Sequence, residues 1–296
     1  MTAAALATEA EAVVSAPHGR RASPIAYLVA AVCIAVIAIM GAPMALSFLA
    51  SIKTPADASA APPRYLPQAL SFGNYDKVIH YEAGLATYLA NSTFVAFLTI
   101  AACIVLAAPA GYGLARFAIR GKEIAFLVLL APIMIPYQAI LTPLYLDFAK
   151  VGLVNSQVGL AIVHTILQLP FSIYLMRNSF EAIPREIEEA AMIDGCSAWR
   201  RLLHVFLPLA VPAIVTVALF AFINSWNEFL AALIFMSREA SFTVPILLVS
   251  VRIGRHGAVD WGALQASVII SIIPCLAVYL ALQRYYISGL ISGAVK

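Results

Sequence analysis

Six apolar stretches, at 25–50, 86–115, 123–147, 157–177, 209–235 and 264–283, set the rhythm of this chain. Each has about the 20 residues a helix needs to cross roughly 30 Å of hydrocarbon. The pattern predicts an all-α, polytopic helical bundle with six transmembrane helices. Residues 1–24 are Ala-rich without an apolar period and read as an unstructured tail. The first stretch begins too late for a secretory leader, and Ser51-Ile52-Lys53 makes a poor cleavage site, so it reads as a retained span. Segment 51–84 carries Pro55, Pro62, Pro63, Pro67 and Gly73, too many breakers for one continuous helix, and reads as a loop. The expected organisation is therefore a tail (1–24), a first span (25–50), a loop (51–84), a five-span unit (85–283) and a second tail (284–296).

Composition agrees with a bilayer as solvent. The 296 residues are 62% hydrophobic and 11% charged, against roughly 45–50% and about 25% in soluble domains. Charge then orients the bundle. With six spans both termini share a side, and Arg20, Arg21, Arg116, Arg120, Lys122, Arg177, Arg185, Arg200, Arg201, Arg284 and Lys296 fall there. Lys53, Arg64, Lys77, Lys150, Arg238, Arg252 and Arg255 fall opposite. The positive-inside bias makes both termini cytoplasmic and segment 51–84 extracytoplasmic. The net charge of +3 carries no signal for nucleic acid. Cys33, Cys103, Cys196 and Cys275 are scattered and read as packing residues rather than a disulfide or metal framework.

The loop between the fourth and fifth stretches is dense in charge. Pro184 suits the start of a helix, Glu186, Glu188 and Glu189 complement the positive end of its dipole, and Gly195 suits the left-handed position that ends it. On this helix Ile187, Ala190, Ala191 and Asp194 share one face, which a partner's groove would accept. Ser197 can cap a second helix. There Trp199, Leu202, Leu203 and Phe206 fall at i, i+3, i+4, i+7 opposite Arg200, Arg201 and His204, so it should lie on membrane lipid with Trp199 as its anchor. Pro208 and Pro212 mark the turn into the next span. On physics alone, an interhelical loop held by its own ion pairs competes with a docking element.

Glu189-Ala190-Ala191, three residues, Gly195, nine residues, then Val205-x-Leu207-Pro208 resembles the EAA loop of ABC-importer permeases. Asn91-Ser92, Tyr112-Gly113-Leu114-Ala115-Arg116-Phe117, Trp226-Asn227-Glu228-Phe229 and the terminal run from Ser288 to Lys296 are similar to the MalG-like branch of carbohydrate importers. The resemblance runs from about Phe72 to the C-terminus, with valine where isoleucine is usual at position 205. It implies an ABC type I importer permease fold in a bacterial inner membrane. It also implies a second permease subunit, two cytosolic ABC ATPases and an extracytoplasmic solute-binding protein as partners. The EAA coupling loop, 184–207, would seat in the ATPases, with Glu189, Ala190, Ala191, Asp194, Gly195 and Pro208 as coupling residues. The tail 288–296 would approach the same subunits. Sugars or related polyols are the implied cargo, and a glycerol phosphate permease is an alternative within the family.

Further chemistry is sparse. No G-x-x-x-x-G-K-[ST] stretch occurs, and Gly121-Lys122 is followed by Glu123, so ATP and Mg belong to partner subunits and this chain binds no cofactor of its own. His18, His80, His164, His204 and His256 are dispersed, so neither a catalytic set nor a metal cluster is expected. Polar side chains inside spans are costly and default to functional candidates: Asn224, Asn227 and Glu228 in the fifth stretch, Tyr137 and Gln138 beside the prolines of the third, His164 and Gln168 in the fourth. Each admits two readings, as lining of a solute path or as a tie between helices. Pro132, Pro136 and Pro143 should bend the third span. Loop 237–262, with Arg238, Glu239, Arg252, Arg255, His256 and Asp260, would face the binding protein. An ion-coupled secondary transporter is the competing class, but no matching pair of interrupted helices repeats across the two halves.

Overall fold

The computed structural model describes residues 24–60, 62–252 and 259–294, with side chains in the last helix described through Gln283. His18, Arg20, Arg21, Arg255, His256 and Lys296, and the side chains of Arg284 and Ser288 to Val295, lie outside the described residues. In chain order the helices longer than one turn are α1 (Pro24–Ser51), α2 (Gly73–Ile79), α3 (Leu85–Arg116), α4 (Lys122–Leu130), α5 (Tyr137–Lys150), α6 (Gln157–Glu181), α7 (Arg185–Ile193), α8 (Val211–Asn227), α9 (Leu230–Phe235), α10 (Val244–Arg252) and α11 (Trp261–Ala294). Residues through Leu46 form one unit, which is most of α1, and Ser47–Lys296 form the other.

Four helices, α1, α3, α6 and α11, are each long and apolar enough to cross a membrane, and two bent pairs bring the number to as many as six. Of the six expected spans, the third bends, as its prolines predict, and the fifth is interrupted near its end. The third stretch breaks at Ile135-Pro136, where Lys122–Met134 and Tyr137–Lys150 diverge by 99°. Pro136 cannot donate to the helical ladder, and Ile135 before it is held extended at ψ 128°. The fifth stretch breaks after Asn227, and Glu228 at ψ 121° separates α8 from α9. Past the last apolar stretch, α11 runs on to Ala294.

Within the larger unit, α3 packs most extensively on α6, and α8 covers both. Glycine makes the central crossing possible. A Cβ on Gly111 would lie 2.8 Å from the Arg177 backbone nitrogen and from the Met176 Cβ, so only hydrogen fits there. Around this crossing Cys103, Ala107, Tyr112, Met176, Phe180, Leu202, Phe206 and Val217 form one buried cluster. At the opposite end of the bundle a second cluster gathers Val95, Leu141, Leu160, Phe235 and Ile246.

Segment 51–84 holds more order than its breakers suggest. Lys53 and Leu70 form an antiparallel bridge, and the buried amide of Asn74 donates to the carbonyls of Ser51 (3.0 Å) and Lys53 (2.7 Å).

Candidate functional site

Two polar regions stand out, one at an end of the α3–α6–α8 core and one near its middle. At the first, α7 begins after Pro184 and ends in a left-handed glycine. Gly195 has φ +73°, its N–H donates to the Met192 carbonyl at 3.0 Å, and the Cys196 N–H donates to the Ala191 carbonyl at 3.0 Å. This pairing satisfies the last helical carbonyls and stops the helix sharply. Ser197 then caps the next turn, accepting from the Arg200 N–H at 3.4 Å.

Glu188 on α7 is the centre of this region. Its carboxylate lies 3.8 Å from Arg116 Nη1 at the end of α3 and 3.6 Å from Arg201 Nε, and accepts the Tyr112 hydroxyl at 3.3 Å. Arg116 also donates to the carbonyls of Phe180, in the last turn of α6, and Ile183, just beyond it, where carbonyls run short of i+4 donors. Its guanidinium lies 4.9 Å from the centre of the Phe206 ring. Arg201 donates to the Cys196 carbonyl at 3.0 Å. The side chains of Arg116, Arg201 and Glu188 are only 5%, 13% and 14% exposed, so their charges persist by pairing with one another. One guanidinium thus holds the ends of two long helices and the middle of α7 together. A cleft of about 370 Å³, lined by Arg116, Arg185, Glu188, Glu189, Met192 and Arg201, lies beside it.

Two expectations for this loop change. The face of α7 turned outward carries Glu189, Ala190, Ile193 and Asp194, all exposed, whereas Ala191 is buried. The Glu188 pairs turn α7 so that Ala191, three residues on, faces the bundle. The second helix is not a uniform amphipathic rod either, because Leu202–Phe206 is a π-helical turn. Its wider winding shifts the register, so Leu202 and Phe206 are buried while Trp199 (65%) and Leu203 remain exposed. The same path brings Arg201 inward to Glu188. Pro208 sits in the turn Leu207–Leu209, which leads at a 79° bend into α8.

The second region is a cavity of about 830 Å³ between α3, the broken α4–α5 pair, α6 and α8. Tyr137, Gln138, His164, Gln168, Asn224, Asn227 and Glu228, chosen singly from three separate apolar stretches, all line it. Asn224 donates to Gln168 Oε1 at 2.6 Å, and His164 Nδ1 meets Ser225 Oγ at 2.8 Å. His164 Nε2 lies 3.4 Å from Glu228 Oε2. Glu228 also accepts the N–H groups of Ala231 (2.8 Å) and Ala232 (3.0 Å), capping α9 beyond the break. Asn227 turns back to the Ile223 carbonyl at 2.8 Å. Pro170, Phe171 and Phe220 supply much of the apolar wall, and the two rings meet edge to face at 5.1 Å.

At the far end, Asn155 Oδ1 accepts the N–H groups of Ser237 (3.0 Å) and Arg238 (3.2 Å), and Lys77 donates to Asp260 at 2.6 Å. Burial opposes ionisation of Asp260, but the Lys77 ammonium and the Ala263 and Gly262 N–H groups outweigh it and hold its carboxyl below the usual range.

Sequence reasoning passed over Tyr112, Arg116, Glu188 and Arg201 as a unit. Arg116 closes one quoted motif and Glu188 immediately precedes another, yet 72 positions (188 − 116) separate them, and no spacing rule links residues so far apart.

Comparison with known proteins gives a consistent picture. Residues 104–291 match the family model of the binding-protein-dependent transport system inner membrane component. The probable ABC transporter permease protein YurM of Bacillus subtilis is 36% identical over 73% of this chain and 71% of its own length. The trehalose/maltose transport system permease protein MalG of Thermococcus litoralis is 33% identical over 75% of this chain and 78% of its own. Among solved structures, a chain of a bacterial ABC transporter involved in the import of the acidic polysaccharide alginate superposes with a TM-score of 0.77 at 26% identity. That match covers 92% of this chain and 100% of that one.

Proposed function

The chain belongs to the family of binding-protein-dependent transport system inner membrane components, and on that premise we propose that it supplies half of a sugar or polyol path driven through its 184–207 segment. It is a multi-pass inner-membrane permease subunit of an ABC importer, a transport component rather than an enzyme. ATP and Mg act in its partners. A second permease subunit completes the path around the 830 Å³ cavity, and two ATPases receive α7. The solute-binding protein docks at the end that carries 237–252 and the Lys77–Asp260 pair. On this reading both termini and the 184–207 segment are cytoplasmic, in keeping with the Lys/Arg bias. Ion-coupled secondary transport is set aside by the family.

One observation carries the reading. The inner face of α7 is tied through Glu188 to the ends of α3 and α6, while its outer face offers Glu189, Ala190, Asp194 and an Ile193 that is 87% exposed. A helix fixed to the bundle on one side and bare on the other transmits displacement from whatever binds the bare side. Coupling residues then divide into contacts (Glu189, Ala190, Asp194) and shape (Ala191, Gly195, Pro208).

Cysteine cross-linking in the assembled importer tests this, with the four native cysteines replaced. Cysteine at Ile193 should join the ATPase in high yield and cysteine at Ala191 should not. Labelling of Ile193→Cys by an impermeant maleimide from outside intact cells, or the absence of any ATPase adduct, would overturn the assignment.

A further inference from the structure

Arg177 belongs to neither polar region, although its backbone lies at the Gly111 crossing of α3 and α6. Its side chain is only 8% exposed. Nη2 donates to both carboxylate oxygens of Glu123 on α4, at 2.9 and 2.8 Å, and Nε donates to Glu181 at 2.8 Å. The guanidinium lies 4.1 Å from the centre of the Phe126 ring, also on α4, and Nη1 is buried without a partner. An arginine that only solvated the end of α6 would extend into water. This one is held against α4 at the cost of an unpaired buried donor.

Little else anchors α4. None of its residues is buried, and Lys122, Phe126 and Leu130, a single stripe at i, i+4 and i+8, are half-buried. The arm Lys122–Met134 ends at the Ile135-Pro136 break, where Pro132, Ile133 and Ile135 line the cavity. Glu123 lies 12 residues before Ile135 (135 − 123), about 18 Å along a helix, so a grip there sets the angle of the whole arm. Phe126 stacks on Tyr174 at 6.4 Å, and Tyr174 on Phe171 of the cavity wall, also at 6.4 Å. Crossing, arm and cavity therefore form one contiguous chain of contacts.

Resting on the permease reading above, we infer that Arg177 is a positioning residue for the cavity's movable wall. Its grip on Glu123 and Phe126 clasps the Lys122–Met134 arm to α6, and release of that grip lets the arm swing about Ile135-Pro136. Because the backbone of Arg177 sits where α3 crosses α6, displacement of the helix ends held by the Glu188 node reaches the arm through this one side chain. With the clasp gone, the path changes access without a loaded binding protein, and ATP hydrolysis escapes control.

The test uses the complete importer in nanodiscs, its four native cysteines replaced and nitroxides placed at Val128 on α4 and Val158 on α6, both exposed. Electron–electron dipolar distances are recorded without nucleotide, and ATP hydrolysis by the same samples is measured without binding protein. Glu123→Gln frees α4 but leaves Arg177 charged and paired with Glu181, and Glu123 is exposed enough for the variant to fold. It should raise the displaced-arm population, and hydrolysis with it, by about three- to fivefold, the worth of one partly exposed ion pair. Arg177→Gln should do so more strongly, and Arg177→Lys, which keeps the charge without the planar fork, should fall between wild type and glutamine. Glu181→Gln removes a bond within α6 and should move neither readout. Unchanged distances or unchanged hydrolysis in Glu123→Gln, or an equal effect from Glu181→Gln, would overturn the inference. ATPases that fail to associate with the wild-type chain sink the permease reading itself, whereas a fixed arm in an active complex sinks only the clasp.

Discussion

The Glu188 node and the mid-bundle cavity are both polar intrusions into an apolar protein, yet they solve the problem in opposite ways. At the node two almost fully covered arginines share one covered glutamate, and the carbonyls of Phe180, Ile183 and Cys196 take up further guanidinium donors, although Arg116 Nε keeps no partner. In the cavity the work falls to uncharged amides, and the one carboxylate, Glu228, is spent on backbone N–H groups and His164. Charges are affordable beside water and helix ends, where partners are plentiful; in the bilayer interior each ion costs several kcal/mol unless paired. A dense charge network suits a joint that must hold its shape, and a sparser set of amides suits the lining of a path.

Glu188→Ala strands two buried arginines and should produce the largest effect, about 3–5 kcal/mol, seen as a lowered melting temperature in detergent and loss of solute-stimulated ATP hydrolysis. Glu189→Ala, one residue away but exposed, should stay within about 0.5 kcal/mol; equal melting temperatures for the two would remove the distinction between tied and bare faces of α7. Gly111→Leu forces side-chain atoms into the Met176–Arg177 backbone and should cost about 1–3 kcal/mol, disturbing node and cavity together because both hang on the α3–α6 crossing. Gly195→Val places a branched side chain at φ +73°, a penalty of about 1–2 kcal/mol. It should loosen α7 and lower ATP-driven uptake while leaving membrane insertion of the chain intact. The smallest effect lies outside both regions. Asp260 ionises more easily in the folded protein than in the unfolded chain, so its stabilising pair with Lys77 is complete at neutral pH and lost as acidity approaches its lowered folded value. Asp260→Asn should flatten that part of a stability-versus-pH curve, and an unchanged curve would show that the pair contributes nothing measurable.

Several features were legible in advance for clear reasons. Apolar stretches longer than a bilayer is thick announced helices, and the prolines at 132, 136 and 143 announced a bend, although not one of 99°. Gly195 announced the end of α7 because few other residues tolerate its backbone. Less visible were the break at Glu228, which no proline marks, and the π-helical turn over Leu202–Phe206. That turn depends on Phe206 and Leu202 finding buried places against Tyr112 and Phe180.

Along the chain alone, residue types and their spacing determined that this is a polytopic membrane protein and where most of its helices and the 184–207 loop fall. Those properties follow from local periodicity, backbone preference and solvent. Folding in three dimensions decided which residues meet: that Glu188 rather than Glu189 turns inward, and that seven polar side chains from three apolar stretches share one cavity. Such convergence depends on helix rotation and close crossing at Gly111, long-range packing choices that a one-dimensional pattern does not encode.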